Sequence, residues 1–289
     1  MNWFDKFPQL SSSSLQHIKS DIDNIFFSFS AVHGESIENF FVPLLNFLIF
    51  IEKLLVYTPW PIILLAIALI SYSVSKSWKL TIAIQFGLCA IGVIGLWEDT
   101  MKTLSIILVA TFICIVFGVP IGTLMHNRKF LQAVINPVLD LMQTIPTFVY
   151  LIPIITLMGI GKVPGLIAVC VYSVPPVIRL TSLGLIQVPR RYIETAMALG
   201  LSNVKILLMI KFPIALRSIL VGINQTIMMS LGMVVIASMI GASGLGSNIL
   251  KAINNQYITT GLLNGFAIVV IAIILDRLFM SPRLSTHAS

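Results

Sequence analysis

Charge is scarce in this chain. Only 10% of its 289 residues are Asp, Glu, Lys or Arg, against 57% apolar, and the mean hydropathy is +0.99. That leaves too little polar surface to clothe a soluble globule of this length, so the composition points to a membrane protein with several spans. Acid is scarcer still beyond the first third, where Asp140, Glu194 and Asp276 are the only carboxylates after Asp99. Asp140 and Asp276 fall near the ends of apolar runs. No carboxylate therefore stands at mid-depth, where an ion- or proton-coupled carrier needs ionisable groups. The histidines, His17, His33, His126 and His287, lie in tails or a loop and assemble neither a metal site nor an acid–base pair. Cys89, Cys114 and Cys170 sit inside apolar runs without metal-ligand spacing, and no disulfide framework is implied. A glycine-rich loop followed by Lys-Ser or Lys-Thr is also missing, which excludes ATP binding in the P-loop manner. Catalysis by this chain is not expected, no cofactor of its own is implied, and energy for pumping has to come from a partner.

What is present is a series of apolar runs with bases between them. In a soluble protein the net charge of +7 would suggest a nucleic-acid partner. Here the bases fall in the connections, where topology explains them, and no nucleic-acid partner is expected. Residues 1–39, which include Ser11 to Ser14 with Asp21, Asp23, Glu35 and Glu38, lack the pattern of a cleaved signal and read as an extracytoplasmic tail. Residues 40–57 are apolar but broken by Pro43 and Asn46. They read as a helix lying in the interface, with a first membrane span as the alternative. Seven spans are predicted, at 59–75, 80–96, 103–125, 138–160, 163–187, 218–240 and 259–279, each near the ~20 residues a crossing needs. Lys76, Lys79, Arg128, Lys129, Arg190, Arg191, Arg277 and Arg283 fall on one side, against Lys102, Lys162 and Lys251 on the other. The richer side is cytoplasmic, which places the N-terminus outside and residues 281–289 as a cytoplasmic tail. The expected fold is an all-α polytopic helix bundle.

One long interior segment, 189–217, is polar, basic and built to fold. Pro189 suits a first helical turn, Gly200 the left-handed residue that ends a helix, Ser202 the cap of the next, and Pro213 its stop. Arg190, Arg191, Lys205, Lys211 and Arg217 surround a single carboxylate, Glu194. Glu194-Thr195-Ala196, Gly200 six residues after the Glu, and Ile210-Lys211-Phe212-Pro213 together resemble the EAA loop of ABC importer permeases, departing from it at Thr195 and Phe212. The resemblance implies an ABC type I importer permease fold over residues 58–280 and a coupling role for Glu194, Thr195, Ala196, Gly200, Ile210 and Pro213. It implies that Glu194 ties the loop to nearby bases.

The spans carry candidate path residues. Arg179 is the one charge well inside a span and reads as structural, its long side chain reaching toward the cytoplasmic end. Pro146, Pro153 and Pro175-Pro176 read as kinks. Asp140, Gln143, Thr144 and Pro146 lie within two turns and suit a face toward the bundle interior. Gly118 and Gly122, four apart, allow close helix packing. Asn224, Gln225 and Met228-Met229 either line a path or bond a neighbouring helix. Phe148, Tyr150 and Tyr172 either touch a cation in transit or pack. The run from Gly241 to Gly246 reads as a flexible outer connection, re-entrant or docking, and not an anion site.

The stretch from Asp140 to Pro153 is similar to the corresponding run of glycine betaine/proline betaine permeases. So are Pro175-Pro176-Val177-Ile178-Arg179-Leu180-Thr181, Asn224-Gln225-Thr226, and the stretch from Met233 to Ala242. This resemblance implies the permease subunit of an osmolyte importer in a bacterial plasma membrane. Two permease copies would form the path, two ATP-binding subunits would carry ATP and Mg at the cytoplasmic face, and a separate binding protein would deliver a quaternary-ammonium solute. A secondary carrier or channel for small osmolytes is the alternative reading.

Overall fold

The computed structural model describes residues 11–279, and the described part is helical with no strand. The 281–289 tail lies outside it. In chain order the helices are α1 (Ser12–Tyr57), α2 (Trp60–Ser75), α3 (Trp78–Val93), α4 (Trp97–His126), α5 (Lys129–Thr144), α6 (Thr147–Met158), α7 (Lys162–Ser173) and α8 (Pro175–Ile186). There follow α9 (Arg190–Ala198), α10 (Asn203–Ile206), α11 (Phe212–Ala237), α12 (Leu245–Asn254) and α13 (Ile258–Phe279). Five stretches are long and apolar enough to cross a membrane: α1, α4, α7 with α8, Asn203–Ile240 and α13. α5 and α6 make a sixth if their bend is counted as one crossing, and α2 and α3 are shorter apolar helices of 16 residues each.

The serine run is the start of a helix. Ser11 caps α1, its hydroxyl accepting from Ser14 N at 3.2 Å, and the helix continues for 46 residues. Residues 40–57 are therefore the C-terminal part of α1 and not a separate element. They are packed: Leu48 is fully buried, Phe47 meets Phe112 of α4 at 5.8 Å, and Glu52 is paired with Lys162 at 2.7 Å. Farther back, the Ser30 hydroxyl donates to Thr156 O of α6 at 2.6 Å.

α8 is squeezed between α4 and α11. A Cβ at Gly118 would lie 2.4 Å from Val177 Cγ1, and one at Gly122 would lie 2.5 Å from Ile178 O, so the two glycines let α4 ride directly on the α8 backbone. On the other flank Gly222 of α11 does the same against Leu180 and Pro176. Lipid gives helices no hydrophobic reason to associate, so such close backbone approach supplies the packing. Pro175 and Pro176 occupy the first turn of α8, where a missing N–H leaves little unpaired.

Two sequence expectations change here. Residues 138–160 do not form one kinked span: α5 and α6 meet at 99°, with Ile145 extended at φ −64° and ψ 130°. Pro146 favours that, because its ring disfavours helical geometry in the residue before it. The Gly241–Gly246 run is not slack either. Leu245 N donates to Thr103 Oγ1 at 2.9 Å, and a Cβ on Gly244 would fall 2.5 Å from that same oxygen. Beside it Asn248 Nδ2 donates to Asp99 Oδ2 at 2.6 Å, joining α12 to the start of α4.

Candidate functional site

The segment between α8 and α11 folds as two short helices around a tight turn. α9 ends in a motif that only a left-handed residue can complete. Gly200 has φ +74°, its N–H donates to Met197 O at 2.9 Å, and Leu201 N–H reaches back to Ala196 O at 3.1 Å. This pair of bonds satisfies carbonyls that the helix end would leave open. Ser202 then caps α10, accepting from Lys205 N at 3.5 Å. Ala196 and Ile206 face inward and are buried, while Met197, Leu199 and Val204 are exposed.

Pro213 does not stop α10. The turn Leu207–Lys211 widens to i→i+5 hydrogen bonding, and Phe212 N donates to Leu207 O. α11 then continues with Pro213 in its first turn, so Asn203–Ile240 runs as one helical stretch of 38 residues. The wider turn makes room for the proline ring and for the carbonyl it cannot bond. Ile210, assigned to the coupling motif, lies within that widened turn and is half-buried.

The bases do not converge on Glu194. Its side chain is exposed, and among the described residues no salt bridge or side-chain hydrogen bond involves it. Thr195 Oγ1 donates to Arg191 O at 2.8 Å, while Arg191 stacks over Tyr192 at 4.8 Å. Lys211 reaches the end of α4 instead, 3.3 Å from His126 Nε2 and 3.5 Å from Asn127 Oδ1. That mooring borders an open cleft of about 410 Å³ beside the turn, with Ile193, Met197 and Val204 on its other walls. His126 and Asn127 had no signal in the sequence, since nothing local marks a partner 85 residues away.

The path candidates divide. Gln143, Thr144, Pro146 and Phe148 are exposed around the α5–α6 bend. Tyr150 is half-buried and spans that bend, its hydroxyl donating to Met142 O and its ring set edge-on to Tyr172 at 6.3 Å. On α11, Gln225 is exposed and Met228 half-buried, on a stripe with Arg217, Val221 and Gly232 at helical spacing. Asn224 points the other way: it is buried, and its Nδ2 donates to Asp276 Oδ1 of α13 at 3.0 Å. Of its two sequence readings, the bond to a neighbouring helix is the one the structure contains.

A pairing that the sequence did not disclose joins α5 to α8. Arg179 Nη2 donates to Asp140 Oδ1, the two side chains being 33% and 64% exposed. A pair this open contributes about 1 kcal/mol or less. Arg179 is thus held by a carboxylate on another helix.

The family described as "Binding-protein-dependent transport system inner membrane component" matches residues 114–280, which include the bend, α8, the Gly200 turn and α11. The glycine betaine/proline betaine transport system permease protein ProW of Escherichia coli (strain K12) is 42% identical over 227 residues, covering 78% of this chain and 64% of that protein. The glycine betaine/carnitine transport permease protein GbuB of Listeria monocytogenes serotype 1/2a (strain 10403S) is 43% identical over 203 residues, 70% of this chain and 72% of that one. The chain thus spans just under two thirds of the length of ProW. Among solved structures, the MetNI methionine ABC transporter in an inward-facing conformation matches with a TM-score of 0.57 at 20% identity, over 67% of this chain and 96% of that one. That likeness concerns the fold. With its matched region holding both the Gly200 turn and the packed α4–α8–α11 centre, the chain belongs to the family of binding-protein-dependent transport system inner membrane components.

Proposed function

We propose that this chain is the permease subunit of an ATP-driven importer for glycine betaine, proline betaine or a related quaternary-ammonium solute. The observation that carries the reading is the Gly200 turn: the short helix α9, outside the apolar stretches and closed by Gly200, with Glu194 in no salt bridge or side-chain hydrogen bond among the described residues, and with Leu199 and, at the start of the next stretch, Val204 75% and 65% exposed. Such a knob has apolar surface and a free carboxylate to offer a second protein. The partner is an ATP-hydrolysing subunit on the cytoplasmic side, which supplies ATP and Mg that this chain has no loop to hold. Two permease copies with two such subunits, and a separate binding protein outside, complete the importer. The exposed stripe of α11 with Gln225 and Met228, together with the exposed bend residues Gln143, Thr144, Pro146 and Phe148, faces the shared path. Closure of the ATPases moves the turn, and the packed spans rock between inward- and outward-facing arrangements.

In the bacterial plasma membrane, the base-rich connections and the Gly200 turn lie inside together with the C-terminus, and the N-terminus lies outside. The names of the relatives support the substrate class. Uptake of radiolabelled glycine betaine into vesicles holding this chain, its ATPase and its binding protein is expected to need all three and ATP. Uptake by this chain alone, driven by an ion gradient, would favour the secondary-carrier reading.

A further inference from the structure

A polar stripe runs along one side of α5. Gln132, Asn136, Asp140 and Thr144 follow one another at four-residue intervals, with Gln143 beside the last, and this spacing stacks side chains on one helix face. α8 lays Arg179 across the middle of the stripe. Its Nη2 donates to Asp140 Oδ1 and lies 3.5 Å from Asn136 O. The two charges border an open cavity of about 390 Å³, whose α8 wall adds Ser182, Leu183 and Ile186. Arg179 Nε is buried and has no hydrogen-bond partner among the described residues. A turn of the guanidinium that releases Asp140 would present Nε and Nη2 together, the two-pronged edge that fits a carboxylate.

Resting on the reading of this chain as a betaine permease, we propose that Arg179 and Asp140 form a zwitterion site inside the permease itself. The ligand's carboxylate takes Arg179, its ammonium pole faces Asp140, and its methyl groups lie against Leu183 and Ile186. The chemistry selects for both charges at once. A simple anion or cation that opened the Arg179–Asp140 pair would offer a counter-charge to only one of its members, whereas a zwitterion offers one to each and keeps the site neutral. The cavity lies in the roughly 300–1,000 Å³ range of small-molecule sites. Because the pair is partly open to begin with, the exchange is easily reversed, which suits a ligand that has to move on.

Saturation-transfer NMR of N-methyl or C-methyl protons tests this on the permease–ATPase complex in nanodiscs, without the binding protein. Three probes at millimolar concentration separate the charges: glycine betaine, choline, which lacks the carboxylate, and 3,3-dimethylbutanoate, its isostere without the positive charge. Wild type is expected to prefer glycine betaine over both. Arg179→Gln should weaken glycine betaine binding roughly tenfold or more and abolish its preference over choline, with Arg179→Lys restoring part of it. Asp140→Asn should abolish the preference over 3,3-dimethylbutanoate, and it carries the test alone if the Arg179 variant does not assemble. Equal weakening of all three probes, unchanged binding, or no binding to wild type would reduce the pair to a clip between helices and overturn the site. Failure of the wild-type complex with its binding protein to import glycine betaine would instead overturn the substrate reading on which the site rests.

Discussion

Replacing Gly200 isolates the conformational demand of the turn from its packing. A Cβ placed there meets nothing within 4 Å, so a side chain creates no clash, and the whole cost is the backbone at φ +74°. For an L-residue that cost is about 1–2 kcal/mol, and a β-branched residue sits at the upper end or above it. Paid against the two closing bonds, Gly200 N to Met197 O at 2.9 Å and Leu201 N to Ala196 O at 3.1 Å, it lowers the ratio of formed to unformed turn about 5- to 30-fold. Gly200→Val is therefore expected to insert normally and to lose affinity for the ATPase by up to about that factor, measured by titrating the ATPase onto permease nanodiscs and by substrate-stimulated ATP hydrolysis. Gly200→Asn, which tolerates the left-handed region, should lose much less. Normal stimulated hydrolysis in Gly200→Val, or an Asn variant as impaired as the Val one, would refute the assignment of this turn to coupling.

Gly122→Ala should destabilise the purified permease more than Gly118→Ala, read as the drop in thermal unfolding temperature, because its Cβ meets the Ile178 backbone oxygen at 2.5 Å while the other meets the end of the Val177 side chain; overpacking of this kind costs about 1–3 kcal/mol. Glu52→Gln or Lys162→Met alone should lower stability by about 1–3 kcal/mol, and the double variant should recover part of the loss, since Glu52 is 14% exposed and each single change strands its partner. In a variant with Cys89, Cys114 and Cys170 replaced by alanine, Lys205→Cys should react with a membrane-impermeant maleimide only from the cytoplasmic side, and Ser12→Cys only from outside. Protection of Ser12→Cys from the outside reagent would make α1 a further crossing and reverse the N-terminus.

Much of the fold was legible because it is local. Apolar runs placed α2, α4 and α13 within a few residues of their ends, except that α4 begins six residues earlier, at Trp97. Gly118 and Gly122 announced a close contact by spacing alone. The Gly200 turn was legible for a sharper reason: a helix end of this kind needs a residue at positive φ, and glycine is the residue that takes it without strain. Prolines were legible as interruptions but not in their effect. Pro146 produces a 99° corner, whereas Pro213 is absorbed by one widened turn. Hidden altogether were the pairings between distant positions. Arg179 with Asp140, Asn224 with Asp276 and Lys211 with His126 are separated by 39, 52 and 85 residues. Each member was visible as an unusual polar residue in an apolar chain, yet periodicity carries no information about which two will meet.

The unbroken stretch Asn203–Ile240 has a mechanical meaning. Thirty-eight helical residues make a rod of about 57 Å, longer than the bilayer is thick. One end is the capped start of α10, three residues after Gly200. At the other, Ile240 O accepts from Gly161 N at 2.8 Å, at the foot of α7 and just past the end of α6. A displacement at the Gly200 end is therefore carried to the Gly161 end, with the widened turn before Pro213 as a joint on the way. Stiffening that joint would not remove any contact at either end. It would change the gearing between them.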